Sequence, residues 1–320
     1  MTIEKILNEK LFMEDVERFP IRILSEQTKV GTSTLRAWER RYGLLKPQRT
    51  PKGHRLYRVK DIERVQKILA LINDGHSLAD IGDLLSPFEN VTTFTDERLI
   101  KERHPSVWNK YIQSTLDAAQ DFNIERIDAV YNEASASYPV DLLTDKLIQP
   151  CLDILGNAWK KNPEGGIAEE HFYTAWLKNR LGARFHHAYA LARGSRIICA
   201  CLPGSNHEVG LMLFALSILY RGYRVLYFGA DLPLSQLPHI TKRSAAKAII
   251  LGAHIQMEEN INRKLTELIT SQKIPVFIGG SNPSLNIKHI ETAGGIFLGT
   301  ENAIALRVFE RHIPLHLSDN

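Results

Sequence analysis

The sequence from Thr34 to Tyr57, TLRAWERRYGLLKPQRTPKGHRLY, decides the fold of the N-terminal region. In its first part Leu35 and Trp38 recur at helical spacing, which predicts a short helix with an apolar inner face. Arg36 and Arg40 are then left one turn apart on the outer face, where the major groove of DNA could accept them. The pattern predicts the recognition helix of a helix-turn-helix.

A basic hairpin follows this helix. Pro51 and Gly53 mark its tip, and Arg55 and Tyr57 alternate along its return strand, so that both could reach one DNA backbone. Together the helices and the hairpin predict a winged helix-turn-helix over residues 20–85, all-α apart from a small β-hairpin wing.

The charge of this region has one sign. Between Arg36 and Lys60 there are nine Lys or Arg residues against one acid, Glu39, a local charge of +8 in a chain whose net charge is +4. Such a segment is typical of a surface that neutralises phosphates, whereas a solvated helix face usually mixes signs. The side chains predicted to contact DNA are Arg36, Arg40, Arg41, Tyr42, Arg49, Lys52, His54, Arg55 and Tyr57.

The rest of the chain divides by its pattern. Residues 86–105 lack a sustained apolar period and hold two prolines, which predicts a linker that leaves the DNA-binding heads free to be paired. Residues 106–192 carry apolar positions at helical spacing with three breaks, which predicts a four-helix bundle. In residues 195–312 five short apolar strands alternate with helices, which predicts an α/β Rossmann-like domain with a parallel five-stranded sheet. Residues 1–19 and 313–320 are an N-terminal extension and a tail.

The composition favours a cytoplasmic protein. It is 44% hydrophobic and 24% charged, and neither an apolar signal core nor a run long enough to span a membrane is visible. The cysteines Cys151, Cys199 and Cys201 lack the spacing of a zinc site or a disulfide framework, so buried core cysteines are expected.

Residues 20–85 resemble the MerR family of transcription regulators. Three elements agree in order and spacing: TLRAWERRYGL (Thr34–Leu44), RTPKGHRLY (Arg49–Tyr57) and DIERV (Asp61–Val65). The resemblance implies sequence-specific binding to double-stranded promoter DNA by a homo-oligomer, a dimer or tetramer, with RNA polymerase as a further partner. The WERRYG variant (Trp38–Gly43) looks like the branch of the family that carries a cobalamin-binding tail.

Residues 106–312 resemble the cobalamin-binding module of methionine synthase and of CarH-type regulators, a helical bundle followed by a Rossmann-like domain. The family's D/E-x-H-x-x-G loop corresponds to Ser205–Gly210, SNHEVG, and the resemblance makes His207 the residue that ligates cobalt from below. The implied cofactor is cobalamin, with adenosylcobalamin as one form, and cobalt enters through the corrinoid. The residues that the resemblance assigns to the cofactor are Trp159, Glu170, His171, Ser205, His207, Gly210, Gly252, Gly279 and Gly280.

Three positions depart from the family pattern. Ser205 replaces the acid that hydrogen-bonds the cobalt-ligating histidine, which predicts weaker ligation. Gly252-Ala253-His254 stands where the family has an S-x-L loop. Lys160 follows the bundle tryptophan where light-responsive relatives place a histidine, and a protonated lysine cannot ligate cobalt.

Three functions compete at this point. The preferred interpretation is a DNA-binding regulator, not an enzyme, whose C-terminal module senses cobalamin and controls oligomerisation and promoter binding. In the second, that module is degenerate and ligand-free and serves oligomerisation or partner docking. The third, a corrinoid carrier or mutase subunit, leaves the basic helix-turn-helix unexplained.

Overall fold

The computed structural model describes residues 18–85, 106–158, 160, 164–190, 192–205, 208–253, 259–280 and 286–314. The predicted fold class is confirmed: a helical N-terminal region with a small sheet, a helical bundle, and a parallel five-stranded sheet with helices. The predicted linker, residues 86–105, lies outside the described residues.

The N-terminal head contains four helices and a three-stranded antiparallel sheet. The helices are α1 (Ile21–Thr28), α2 (Thr32–Tyr42), α3 (Val59–Asn73) and α4 (Leu78–Leu85). The strands are β1 (Phe19–Pro20), β2 (Gln48–Arg49) and β3 (Arg55–Tyr57), in the order β1-β3-β2. The inward positions predicted for α2 are confirmed, because Leu35 and Trp38 are both fully buried. This helix ends where Gly43 takes a left-handed conformation, with φ of +62°, and its N–H bonds back to the Glu39 carbonyl.

The next region is helical, as its apolar spacing predicts. It forms α5 (Val107–Gln120), α6 (Ile124–Ser137), α7 (Val140–Leu143), a π-helical turn (Thr144–Ile148), α8 (Gln149–Ala158) and α9 (Gly166–Tyr189). Ser106 and Asn123 cap α5 and α6 by accepting backbone N–H groups through their side chains. The π-helical turn precedes Pro150, which has no N–H for the hydrogen-bond ladder, so the helix is irregular where a donor is missing.

The C-terminal region is an open parallel sheet. Its strands are β4 (Arg196–Cys201), β5 (Arg224–Gly229), β6 (Ala248–Gly252), β7 (Val276–Gly279) and β8 (Ile296–Gly299), in the order β5-β4-β6-β7-β8. The helices between and after them are α10 (Val209–Tyr220), α11 (Leu237–Ser244), α12 (Glu259–Ser271), α13 (Ile287–Thr292) and α14 (Asn302–His312), with a 3₁₀ turn at Leu234–Gln236. The central strands β4 and β6 are almost wholly buried, as expected for a parallel sheet covered on both faces.

The chain falls into two compact units, Met1–Ile154 and Leu155–Asn320. The predicted bundle, residues 106–192, contributes helices to both of them. In the first unit the head is not free of the helices that follow the predicted linker: α2 contacts α6, and the Trp108 indole N–H donates to the Ile72 carbonyl at 3.3 Å. Aromatic side chains on α2 and α5 therefore pack the head against α5 and α6, while the pairing of heads stays a prediction.

Candidate functional site

The outer face of α2 carries the predicted base-reading arginines. Arg36, Arg40 and Arg41 are all exposed, and Arg36 and Arg40 lie one helical turn apart. The tip of the wing is also open, since Lys52 and His54 are exposed beside Gly53, whose φ is +81°. These exposed basic side chains form a surface that suits a phosphate backbone and a groove.

Glu39, the one acid in the basic segment, fixes the wing to the recognition helix. Its carboxylate accepts a hydrogen bond from Arg55 Nε at 2.5 Å and another from Arg49 Nη2 at 2.9 Å, and its side chain is 14% exposed. This hydrogen bond raises the pKa of Arg55 above its ordinary value. Arg49 and Arg55 are paired across β2 and β3, so one carboxylate holds both strands of the wing.

Tyr57 is buried in the head, so its side chain is not open to DNA. Its side chain is fully buried, its hydroxyl has no hydrogen-bond partner among the described residues, and burial raises its pKa to about 12. The prediction that Tyr57 grips the backbone is wrong. The short strand β1 pairs with β3 at this residue, Phe19 opposite Tyr57, and the side chain enters the core of the head.

Tyr42 has a partner that sequence reasoning missed. Its hydroxyl lies 3.1 Å from Ser137 Oγ, and the Trp38 indole N–H donates to the Ser137 carbonyl at 2.7 Å. Trp38 and Tyr42 are both on α2, and Ser137 is the last residue of α6. The sequence separations are 95 and 99 residues, so no local pattern could have indicated these contacts.

The predicted cofactor loops lie where an open α/β sheet binds ligands. Numbered along the sheet domain, the strand order is 2-1-3-4-5, and the order reverses between β4 and β6. Ligands of such sheets bind beyond the carboxyl ends of the strands on either side of this switch point. The loop that begins at Leu202 follows β4, and the one that begins at Ala253 follows β6.

Ser205 is the described residue of the first loop that bears most directly on a ligand. It is 3% exposed, and its Oγ has no hydrogen-bond partner among the described residues. A buried hydroxyl without a partner is costly unless a neighbouring group or a ligand satisfies it. The hydroxyl is therefore available to a polar group that stands at this edge, which fits the place of Ser205 in the family's loop.

The glycines at this edge of the sheet are explained by different contacts. Gly280 has φ of +130°, and a Cβ there would stand 2.1 Å from the Ala253 carbonyl oxygen, so the backbone of the neighbouring loop requires a glycine. A Cβ on Gly252 would come within 3.3 Å of Leu211, and one on Gly279 within 3.4 Å of Leu298. Gly210 lies in the first turn of α10. Contacts within the protein therefore explain why residue 280 is a glycine. At Gly252 and Gly279, which end their strands, there is little room for a side chain, but the contacts do not require a glycine.

Two predicted cofactor residues, Trp159 and His207, lie outside the described residues, as does His254 in the loop after β6. Glu170 and His171 are in the second turn of α9, half-buried and exposed respectively. The Lys160 ammonium donates to Asn157 Oδ1 at 2.8 Å.

Glu208, directly after His207 in the sequence, is held from two sides. Lys178 Nζ on α9 lies 3.0 Å from its carboxylate, and the Tyr227 hydroxyl on β5 donates to it at 3.2 Å. Burial and the nearby carboxylate raise the pKa of Tyr227 well above its ordinary value. The loop after β4 is thus tied to α9, the helix that bears Glu170 and His171, and the sequence carries no signal for this arrangement.

Other kinds of site find less support in the described part of the chain. There, no three His, Cys, Asp or Glu side chains are grouped so that they could hold a metal ion. The expectation of buried core cysteines is confirmed, since Cys151, Cys199 and Cys201 are all buried. Among the same residues, no helix is long and apolar enough to cross a membrane.

Comparison with protein families assigns two stretches of the chain. Residues 19–86 match the family described as MerR HTH family regulatory protein, and residues 111–184 match the family described as B12 binding domain. The first match coincides with the head, and the second begins within α5 and ends within α9. The second match supports a corrinoid cofactor.

Two regulators of transcription match most of the chain, and a third matches part of it. The HTH-type transcriptional repressor CarH of Myxococcus xanthus is 28% identical over 270 residues, which cover 82% of this chain and 89% of the relative. The repressor CarA of the same organism is 24% identical over 290 residues, or 89% of this chain and 95% of the relative. The regulator MlrA of Escherichia coli (strain K12) is 37% identical over 121 residues, or 38% of this chain and 45% of MlrA. All three are named as regulators of transcription and none as an enzyme.

Proposed function

Because the chain is a DNA-binding transcription regulator of the MerR type with a B12-binding domain, we propose that it binds promoter DNA as a homo-oligomer and that cobalamin changes this binding. The observation that carries the proposal is the position of the two loops at the switch point of the sheet, together with the unpartnered buried hydroxyl of Ser205. RNA polymerase is the partner whose use of the promoter the regulator would alter.

We propose that the exposed arginines of α2 read the DNA. Arg36 and Arg40 face away from the core and reach base edges or nearby phosphates, while Arg41, Lys52 and His54 contact the backbone. Arg49 and Arg55 contribute their charge from the wing and also hold it in place through Glu39. The wing contacts are expected to raise affinity for all sequences, whereas α2 supplies discrimination.

On the cofactor side, the proposed roles follow the family's loop. His207 would bind the cobalt with Ser205 as its hydrogen-bonding neighbour, and Trp159, Glu170 and His171 would contact the corrin on the side away from His207. A bound corrinoid would supply a cobalt ion whose ligands can be exchanged, and adenosylcobalamin is the form that we propose. The protein's contribution is to hold the loop after β4, and a serine hydroxyl there orients an imidazole less firmly than a carboxylate would.

An absorbance titration with cobalamin tests the cofactor proposal. Wild type should bind, His207→Ala should lose most of the affinity, and Ser205→Asp should bind more tightly, since a neighbouring group of this kind is typically worth about 10- to 100-fold in metal affinity. Thermal unfolding of His207→Ala should match that of wild type, so that a loss of affinity is distinguished from a loss of fold. If wild type binds no cobalamin, or if His207→Ala binds as tightly as wild type, the ligand-free docking module replaces the sensor.

A further inference from the structure

The inner face of the recognition helix is held by a residue outside the head. Trp38 and Tyr42 are four residues apart on α2 and so lie on one face, and each makes a hydrogen bond with Ser137. Arg36 and Arg40 precede them by two residues each, which places the arginines about 200° around the helix, on the opposite face. The helix therefore stands between Ser137 and the surface offered to DNA.

Ser137 can make both bonds because it ends α6. The carbonyl of a last-turn residue has no partner within its own helix, so it is free to accept the indole N–H of Trp38 at 2.7 Å. Its Oγ is left for the Tyr42 hydroxyl at 3.1 Å. Ser137 is 2% exposed and Trp38 is fully buried, so water does not compete for the indole bond, whereas Tyr42 is half-buried.

A second contact fixes α5 against the same head. The Trp108 indole N–H donates to the Ile72 carbonyl near the end of α3, and its ring lies 4.6 Å from that of Tyr138. At Gly75, which has φ of +98°, a Cβ would stand 2.9 Å from Ser106 Oγ. The head and the start of α5 are therefore in close contact there.

We infer that Ser137 is a positioning residue for the recognition helix and that the DNA-reading unit extends from the head through Tyr138. The bond to Tyr42 holds the last turn of α2, the turn that carries Arg40 and Arg41. If that turn becomes mobile, the arginine side chains are no longer held in position for the base edges, but they keep their charge. Discrimination between DNA sequences should fall, while the number of phosphates neutralised stays the same. Ser137 also lies inside the region matched to the B12 binding domain, which gives that region a direct contact with the DNA-reading helix.

The test compares Tyr42→Phe, Ser137→Ala and the double variant in the full chain. The probes are a duplex that wild type enriches from a random-sequence pool and an unrelated duplex of equal length. We expect each single variant to lower the ratio of specific to non-specific affinity by several-fold, at most about tenfold for one hydrogen bond. The double variant should lose no more than either single variant, since all three remove the same bond. The slope of affinity against salt should not change.

Three controls make this result specific. Ser135→Ala removes a hydroxyl whose hydrogen bond, to the Asn132 carbonyl at 3.4 Å, lies within α6, and it should leave the ratio unchanged. Ser137→Thr keeps a hydroxyl and should restore most of the ratio. Partial unfolding would lower both affinities together, so it cannot imitate a change in their ratio.

Different outcomes would overturn the inference. If Tyr42→Phe lowers the ratio while Ser137→Ala does not, Tyr42 contacts DNA directly and Ser137 has no positioning role. If the double variant lowers the ratio by the product of the two single-variant effects, the hydroxyls of Tyr42 and Ser137 act on separate partners. An unchanged ratio in all three variants would show that the head holds its recognition helix unaided.

Discussion

Glu39→Gln is the substitution for which the structure predicts two opposite effects at once. The Glu39 carboxylate holds Arg55 at 2.5 Å and Arg49 at 2.9 Å, and it is the one acid among nine basic residues. A hydrogen bond to a charged group contributes about 1.5–3 kcal/mol when it is partly buried. The bond to Arg49, whose side chain is 52% exposed, is screened by solvent and contributes about 0–1 kcal/mol.

Glutamine keeps a neutral acceptor at the same place, so roughly half of this stabilisation of the wing, about 1–2 kcal/mol, is lost. Specific binding that needs the wing in place should weaken by about five- to thirtyfold. At the same time Arg49 and Arg55 are freed for phosphates. Each added phosphate contact steepens the salt dependence of binding by about 0.9 in the logarithmic slope, so non-specific affinity should rise at low salt.

The assay is a gel-shift salt series on the selected duplex and on an unrelated duplex, for wild type and Glu39→Gln. Glu26→Gln is a matched control, since Glu26 pairs with Arg22 in an exposed i,i+4 ion pair on α1. The reasoning is refuted if Glu39→Gln keeps the wild-type slope and the wild-type ratio of affinities, or if specific binding tightens.

Four further predictions concern Tyr57, Glu208 and the response to cobalamin. Tyr57→Phe should keep wild-type DNA affinity and raise the free energy of unfolding by about 1 kcal/mol, since it removes an unsatisfied buried hydroxyl; weakened DNA binding would restore Tyr57 as a contact. Wild type should also lose stability as the pH rises from about 10 towards 12, where a tyrosine whose pKa is raised to about 12 would ionise on unfolding, and Tyr57→Phe should reduce this loss in alkaline unfolding curves. Glu208→Gln should weaken cobalamin binding by roughly tenfold, because the loop after β4 loses its ion pair with Lys178. Glu267→Gln is the control, since Glu267 is in an exposed ion pair with Arg263, and it should bind cobalamin like wild type. If Glu208→Gln and wild type give the same absorbance titration, Glu208 has no role in cobalamin binding. Cobalamin should change the molar mass of the protein in light scattering, and an identical mass with and without it across concentrations would remove control by oligomerisation.

The elements of this fold could be predicted because their signals are local. Leu35 and Trp38 show a helical period within one turn, and the five strands of the C-terminal domain are short apolar runs between helices. The order of those strands then places the loops at residues 202 and 253 beside the switch point, where their motifs suggest a ligand.

What could not be predicted depends on partners that are distant in sequence. Alternation along β3 puts Arg55 and Tyr57 on one face, but it gives no sign that β1 pairs with this strand and that Tyr57 enters the core. In the same way, the sequence shows Glu39 only as one acid within a basic segment. It is the folded wing that brings Arg49 and Arg55 to its carboxylate. The composition of residues 86–105 predicts a linker. Trp38 and Trp108, which hold the head against α5 and α6, lie on either side of this linker in sequence, and each is in a segment whose pattern predicts only an ordinary helix.

The measurement that tests the account most directly is the affinity of the full chain for its selected duplex with and without saturating cobalamin, in wild type and in His207→Ala. The account predicts that cobalamin changes the wild-type dissociation constant by about 5- to 150-fold, the usual range for coupled sites, and that His207→Ala shows no change. A wild-type protein that binds cobalamin by absorbance but holds the duplex with the same dissociation constant in both conditions would contradict it.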